Sequence, residues 1–210
     1  MEPALSQAGP VGRVAEERQR ILDAAAALFY AEGVRGVNLG DVAVASGLPA
    51  EAVAQQFATK EDLILAWLGR ADMVWQGKLR DAAAAAGDSP RDQLVGLFDA
   101  LSQACARDGY RGCSFINTAA ESAAGTAVHG ATVAHKRSVR AWVTALARQA
   151  GADDPAALAL MLTTLLDGAL AVTALEPRPD VVVETGRAAR TLVDAACPTI
   201  PSQREGNDYD

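Results

Sequence analysis

The residues best suited to covalent chemistry are a cysteine and two histidines in the second half of the chain. Cys113 with either His129 or His135 has the elements of a thiol–imidazole pair, in which a base activates a nucleophile. No flanking motif marks an activated nucleophile, and no third residue that would orient the imidazole can be identified. We therefore predict that the protein is not an enzyme.

Metal or cofactor chemistry is also disfavoured. The two histidines lack the i, i+4 spacing of a metal-binding helix, and Cys105, Cys113 and Cys197 lie far apart. There is no glycine-rich phosphate loop, so we expect neither a metal nor a cofactor. An odd number of scattered cysteines is typical of free thiols in a reducing compartment. Residues 1–12 lack a basic segment followed by an apolar run, so we expect no secretory signal and a cytoplasmic location.

Charge and composition limit the remaining functions. The 210 residues include 19 Lys and Arg against 26 Asp and Glu, for a net charge of −7. This balance excludes a uniformly basic nucleic-acid binder, so any nucleic-acid contact must be local. Half of the chain is apolar and only 5% is aromatic, and alanine recurs in periodic runs. These features predict an all-α protein.

The elements that would position functional side chains begin with four helices. The first carries an apolar stripe and ends at Gly33, and the second begins at Asn38, with Asp41 at the third helical position, and ends at Gly47. Pro49 at the first helical position opens a third helix, and a Thr59–Asp62 capping pair opens a fourth. Further helices are predicted at about residues 90–106 (capped by Ser89 with Asp92), 113–124, 128–150, 155–175 and 181–196, where Val181–Val183 is the only strand-like triplet.

The helix predicted over residues 155–175 is long and apolar enough to be considered as a membrane span. Asp167 lies past its middle, and a carboxylate at that depth costs about 2.5–3.5 kcal/mol on insertion scales. No basic cluster borders the segment to set its topology. We therefore predict a buried helix and no membrane association.

Residues 18–67 resemble the N-terminal DNA-binding domain of the tetracycline-repressor (TetR) family of bacterial transcriptional regulators, in order and without gaps. The resemblance rests on these consecutive motifs: Arg20-Ile21-Leu22-Asp23-Ala24-Ala25, Leu28-Phe29, Gly33-Val34, Asn38-Leu39-Gly40-Asp41-Val42-Ala43, Ser46-Gly47-Leu48, Phe57 and Thr59-Lys60-Glu61-Asp62-Leu63. It implies a three-helix helix-turn-helix DNA-binding domain at residues 13–68. It also implies a helical effector-binding and dimerisation bundle at 69–197, and we expect a flexible tail at 198–210.

The resemblance assigns roles to residues in this domain. Residues 49–56, including Pro49, Ala50 and Glu51, match the recognition helix, and Gln55 and Gln56 are candidates for reading base edges. Phosphate contacts are expected from Asn38, Thr59 and Lys60, with a basic arm formed by Arg13, Arg18 and Arg20.

The sequence also departs from the family pattern. Ala54 stands where a tyrosine that touches phosphate is usual, and Pro49-Ala50 replaces a frequent Ser-Lys or Ser-Arg. Glu51 adds a negative charge, and residues 1–70 hold nine acidic and six basic residues. We therefore expect modest DNA affinity that depends on dimerisation and on backbone N–H groups.

The second half of the chain carries weaker signals. Gly112-Cys113-Ser114-Phe115-Ile116-Asn117 followed by Glu121 resembles a motif of one TetR subgroup, some members of which are linked to multidrug-efflux control. An effector pocket needs a few polar groups in an apolar wall. The candidate ligand contacts are Phe115, Asn117, Glu121, His135, Trp142 and Asp167.

The resemblance implies a homodimeric repressor that releases a pseudo-palindromic double-stranded DNA operator when a small molecule binds. In such a dimer, the helices at 128–150 and 155–175 would pair with the same helices of the partner subunit. The abundance of Leu, Val, Ala and Met in the effector domain predicts a largely apolar effector. The alternative is a helical small-molecule-binding or scaffold protein with weakened DNA binding.

Overall fold

A computed structural model describes residues 10–106, 108–176 and 178–198, and within these ranges the chain is all-helical. The ten helices of this part of the chain are α1 (Pro10–Gly36), α2 (Leu39–Ser46), α3 (Ala50–Gln56), α4 (Lys60–Ala85), α5 (Pro90–Gly96), α6 (Asp99–Cys105), α7 (Ser114–Glu121), α8 (Ala127–Gln149), α9 (Pro155–Leu175) and α10 (Pro179–Ala196). The predicted fold class is confirmed. Most of the expected tail, residues 199–210, lies outside the described residues.

The helix boundaries of the first half follow from local hydrogen bonds. Asn38 caps α2 through the N–H groups of Gly40 and Asp41, and the Asp41 carboxylate accepts from the Asn38 N–H. Thr59 and Asp62 form the same reciprocal box at the start of α4. Gly47 ends α2 with φ 65°, a left-handed conformation that glycine adopts without steric cost.

Three details of the predicted helices are wrong. Pro49 is the N-cap of α3, because its ψ of 149° is extended. Ser89 precedes α5 but makes no side-chain capping bond. The helix predicted at 90–106 divides into α5 and α6. Residues 181–183 lie inside α10, as the helix predicted at 181–196 requires.

Among the residues that the structure describes, the buried apolar side chains form two clusters. The N-terminal cluster is built on α1–α4 and includes Ile21, Phe29, Val42, Val53, Leu63 and Trp67, and it also takes in Phe115 from α7 and Val128 from α8. The C-terminal cluster joins α4–α6 and α8–α10 through Leu79, Leu94, Leu101, Val143, Leu158, Leu162 and Val193. Because α4 contributes to both clusters, it connects the two halves of the molecule.

Helix α9 is the one described helix that could cross a membrane by length and composition, with a mean hydropathy of 1.9 over its most apolar window. It packs against α8 and α10, and 44% of that window is buried inside the chain. Asp167 pairs with Lys136 of α8. One side of α9 therefore belongs to the core, whereas the helix that was predicted to be buried also exposes Leu160, Met161, Val172 and Leu175.

Candidate nucleic-acid interface and ligand cavity

Helices α2 and α3 form a helix-turn-helix whose inner face is buried and whose outer face is polar. Val42, Ala43, Val53 and Phe57 lie in the N-terminal cluster. The outward side of α3 exposes Ala50, Glu51, Ala54 and Gln55. The major groove of DNA admits an α-helix, so this exposed face is the candidate for base contacts.

The two glutamines of α3 differ in availability. Gln55 is exposed and makes no hydrogen bond in the described ranges. Gln56 is half-buried, and its amide donates to the carbonyl of Val14 at 3.5 Å. Gln55 is therefore the amide that is free to pair with a base edge.

Three cations predicted to contact DNA each bind a backbone carbonyl. Arg18 donates to the carbonyl of Gln56 at 3.3 Å and lies over the Phe57 ring at 4.3 Å. Arg20 donates to the carbonyls that end α2, including that of Ser46 at 2.7 Å. Lys60 Nζ donates to the carbonyl of Arg35 at 3.1 Å. No described carboxylate forms an ion pair with any of the three, so their charge stays available for phosphate.

The remaining predicted DNA contacts lie at helix starts. Asn38 accepts two backbone hydrogen bonds through Oδ1, which leaves its amide NH₂ free among the described groups. The Thr59 hydroxyl both donates to and accepts from Asp62, and the Thr59 N–H also binds that carboxylate. Asn38 is thus better placed than Thr59 to donate to phosphate.

The larger cavity has a volume of about 410 Å³ and lies between the two halves of the chain. Its walls come from α1, α4, α6, the segment before α7, α7 itself and α9. Five aromatic residues line it: Tyr30, Trp67, Trp75, Tyr110 and Phe115. The charged residues in its wall are Arg70 and Lys78, and no Asp or Glu is among the described lining residues.

The hydroxyl groups of the two tyrosines in this wall are already engaged. Tyr30 donates to the carbonyl of Gly112 and accepts from the N–H of Arg111. Tyr110 donates to the carbonyl of Leu170 at 3.0 Å. Burial raises the pKa of the Tyr110 phenol, and the neighbouring Cys105 thiol raises it further, so the phenol stays neutral. The tyrosines therefore offer a ligand mainly their ring faces.

The structure separates the six predicted ligand residues. Phe115 lines the larger cavity. Asn117 and Glu121 line a smaller one of about 250 Å³, beside Gly33 and Arg111. His135, Trp142 and Asp167 line neither cavity.

His135 belongs to a buried polar cluster behind Phe115. Its ring stacks on Phe115 with centroids 3.5 Å apart, and its Nδ1 bonds the Asp72 carboxylate. Burial lowers the pKa of His135 and outweighs the opposing effect of Asp72. The imidazole is therefore neutral, with Nδ1–H donating to Asp72, and its Nε2 has no partner in the described structure.

Two more predicted ligand residues make contacts elsewhere. The Asp167 carboxylate accepts from Lys136, whose Nζ lies 3.6 Å from the Cys113 thiol. Trp142 packs against the C-terminal cluster with Arg80 over its ring at 5.5 Å. The thiol of Cys113 thus contacts a lysine, and neither histidine is recorded as its hydrogen-bond partner.

Sequence reasoning missed most of the cavity wall, although α4 carries a readable signal. Trp67, Ala71, Val74, Trp75 and Lys78 all line the cavity and follow i, i+4, i+7, i+8 and i+11 spacing. This spacing places them on one face of a helix.

The helix-turn-helix region is similar to proteins of a known family. A model of the tetR family of bacterial regulatory proteins matches residues 21–67. No curated protein sequence matches the chain significantly.

Solved structures match over most of the chain. The crystal structure of SCO4454, a TetR-family transcriptional regulator from Streptomyces coelicolor, is 28% identical with a TM-score of 0.81, and the match covers 88% of this chain and 97% of that one. A putative TetR transcriptional regulator from Streptomyces avermitilis (sav143) is also 28% identical, with a TM-score of 0.73 and coverages of 86% and 97%. Reduced NemR from E. coli shares the fold, at 18% identity, a TM-score of 0.75 and coverages of 88% and 100%.

Proposed function

This chain belongs to the TetR family of DNA-binding transcriptional regulators, and we propose that it is a repressor that leaves its operator when a small molecule fills the larger cavity. The observation that carries this proposal is the position of the cavity. Its wall includes Tyr30 of α1 and Trp67 of α4, together with Leu170 of α9 in the bundle, and Trp67 also belongs to the N-terminal cluster. A ligand there touches both halves of the molecule.

Helix α4 is the proposed connection between ligand and DNA. It begins at Lys60 beside the DNA-binding surface and continues along the cavity to Ala85. A ligand that favours one position of α4 shifts the spacing of the two recognition helices in a dimer, and DNA requires half-sites about 34–36 Å apart. Linkage then requires that ligand and DNA weaken each other's binding by the same factor.

We propose that α3 enters the major groove with Gln55 as its main base-reading side chain. Pro49, Ala50 and Glu51 lie at the start of the same face, and Gln56 and Thr59 have supporting roles because their side chains are engaged within the chain. Phosphate contacts are assigned to Arg18, Arg20, Asn38 and Lys60.

A homodimer is the proposed assembly, with α9 at the centre of its interface. Helix α9 exposes Leu160, Met161, Val172 and Leu175, the last of which is 83% exposed. Exposed apolar side chains on one helix favour a protein partner. The outer side of α8 exposes charged or small residues, including Arg137, Ser138 and Arg148. Of the two helices expected to pair across the dimer, α9 is therefore the better candidate for the centre of the interface.

Selection of bound DNA from a random pool, with the full-length protein, tests the function directly. The expected product is a pseudo-palindromic site in the regulator's own upstream region or elsewhere in the genome. Failure to enrich any sequence would instead favour the helical small-molecule-binding or scaffold protein with weakened DNA binding, for which the acidic N-terminal domain is the supporting observation. A cytoplasmic location is proposed with this function.

A further inference from the structure

The chemistry of the cavity wall points to the class of effector. We propose that the larger cavity binds a flat aromatic molecule that carries a single negative charge, held by Lys78. This inference rests on the proposed function, because it names the ligand of the same regulatory site. The sequence predicts only a largely apolar effector, whereas this proposal specifies an effector with one aromatic ring system and one acidic group.

Aromatic side chains are five of the sixteen described lining residues, and one of them, Phe115, is stacked on His135 on one face. Trp67 and Phe115 are buried at 4% exposure each, and Trp75 is partly buried against the C-terminal cluster. Aromatic rings stack favourably on such faces in offset or edge-on arrangements. A volume of about 410 Å³ lies in the range of small-molecule pockets and accommodates a bicyclic ring.

The sign of the ligand charge follows from the charged groups in the wall. Aromatic faces alone would also suit a cation, which is attracted by ring quadrupoles. The described wall, however, contains Arg70 and Lys78 and no carboxylate. A cationic ligand would meet the unpaired ammonium group of Lys78 and no carboxylate among the described lining residues, so the wall disfavours cations and favours an anion.

Lys78 is the cation available to the ligand. Arg70 is already paired with Asp23 at 2.7 Å and donates to the carbonyl of Leu22. Lys78 is partly buried and has no hydrogen bond or ion pair within the described ranges. An ammonium group in this position gains a charge-assisted hydrogen bond when a carboxylate arrives. The Ser114 hydroxyl, which also lines the cavity, is a second donor.

Three probes that share one ring separate the charge effect from the ring effect. Calorimetry on the full-length protein without DNA would compare 2-naphthoate, neutral 2-naphthamide and cationic 2-naphthylmethylammonium. We expect naphthoate to bind about ten-fold more tightly than the amide, and the ammonium to bind most weakly. Equal affinities, tightest binding of the ammonium, or no binding of any probe would overturn the proposal.

Variants assign the effect to the cavity. Lys78→Gln should reduce the naphthoate-to-amide ratio to about one, whereas Arg137→Gln, at an exposed cation of α8 outside the cavity, should leave it unchanged. Ala71→Phe should weaken naphthoate and amide alike by filling the space, with folding checked by circular dichroism. An unchanged ratio in Lys78→Gln, or unchanged binding in Ala71→Phe, would contradict the assignment.

A DNA-release assay keeps this inference separate from the proposed function. If naphthoate binds with the expected preference but the protein stays on DNA, the proposal of ligand-induced release is contradicted and the proposed ligand class is retained. Release by neutral compounds alone would support the repressor and overturn the ligand class.

Discussion

The Glu121 carboxylate accepts a hydrogen bond from the backbone N–H of Arg35 at 2.8 Å, and the Arg35 guanidinium returns one to the Glu121 carbonyl at 2.9 Å. These bonds join the last residue of α7 to the end of α1. Since Lys60 donates to the carbonyl of Arg35, the start of α4 meets at the same point. Helix α7, which lines the cavity with Phe115, is therefore attached to the DNA-binding domain where α4 begins.

Gly33→Ala should destabilise the junction of α1 and α7. Gly33 has φ 83° and ψ 163°, a backbone region nearly restricted to glycine, and a Cβ there would collide with the Glu121 carboxylate. We expect a loss of about 1–3 kcal/mol in the free energy of unfolding, measured by urea titration. Gly36→Ala is the matched control, because its Cβ would meet no atom within 4 Å. Equal losses in both variants would contradict this account.

Lys60→Ala and Gln55→Ala should weaken DNA binding in different ways. A phosphate contact carries charge but no sequence information, so Lys60→Ala should weaken binding to all sequences similarly and reduce the salt slope by about one. Gln55→Ala should change base preference and leave the salt slope intact. Fluorescence anisotropy over a salt series, on the selected site and on single-base variants, measures both. An unchanged salt slope in Lys60→Ala would argue that the lysine only supports the end of α1.

Leu160→Glu should convert the proposed dimer into a monomer. Leu160 is 49% exposed on α9, and a carboxylate there would be buried without a partner in an apolar interface. Light scattering at micromolar concentration gives the mass. Val44→Glu, at an 84% exposed position on α2, is the control and should remain dimeric. A wild-type protein that is monomeric under these conditions would remove the proposed interface. Leu166 is a poor choice for this test, because at 3% exposure it belongs to the core of its own chain.

Stability should fall as the solution is acidified below neutral pH, because of His135. Burial holds the pKa of His135 below its ordinary value of 6.5, so the folded state resists a proton that the unfolded chain accepts. The stabilisation is present above pH 6.5 and is lost as the pH falls through the lower folded value, at up to about 1.4 kcal/mol per pH unit. The charged groups that act on the His135 pKa are Asp72, Lys136 and Asp167.

Thermal melts between pH 7.5 and 5 measure this dependence. Hydrogen bonds from Gln76 and His135 and nearby positive charge outweigh burial and lower the pKa of Asp72 below 3.8, so that residue titrates outside the window. His135→Gln should flatten the profile, and His129→Gln on the same helix should retain it. A wild-type melting temperature that is constant over this range would contradict the buried neutral imidazole.

Gly77→Ala should alter induction more than it alters DNA affinity in the absence of ligand. Gly77 lies inside α4 beside the cavity-lining residues, and a Cβ there meets no atom within 4 Å. The substitution therefore stabilises the helical conformation of α4 by about 1 kcal/mol without disturbing its packing. The readout is the ratio of operator affinities with and without a bound ligand. Gly130→Ala, an equally open position on α8, controls for general helix stabilisation. Equal changes in both affinities would remove α4 from the coupling.

Features that depend on neighbouring residues could be predicted from the sequence alone. The capping boxes at Asn38 and Thr59, the left-handed Gly47 and the interruption at Gly33 all use groups within a few residues of one another. Local hydrogen bonds and steric limits are the same in any tertiary context, so their residue patterns predict them well. The apolar periodicity that predicted an all-helical chain is equally local.

The remaining features required side chains from distant parts of the chain to meet. The division at α5 and α6 coincides with Gly96, where a Cβ would lie only 2.5 Å from that of Ala86 on the neighbouring segment. The carbonyl that Arg18 binds is 38 residues away along the chain, and the two that Arg20 binds are 26 and 27 residues away. The cavity likewise brings together Tyr30, Trp75 and Tyr110 from three separate segments. Local pattern determines which face of a helix is apolar, but only the packing of helices decides which residues share a wall, because side-chain contacts depend on the relative position of whole helices.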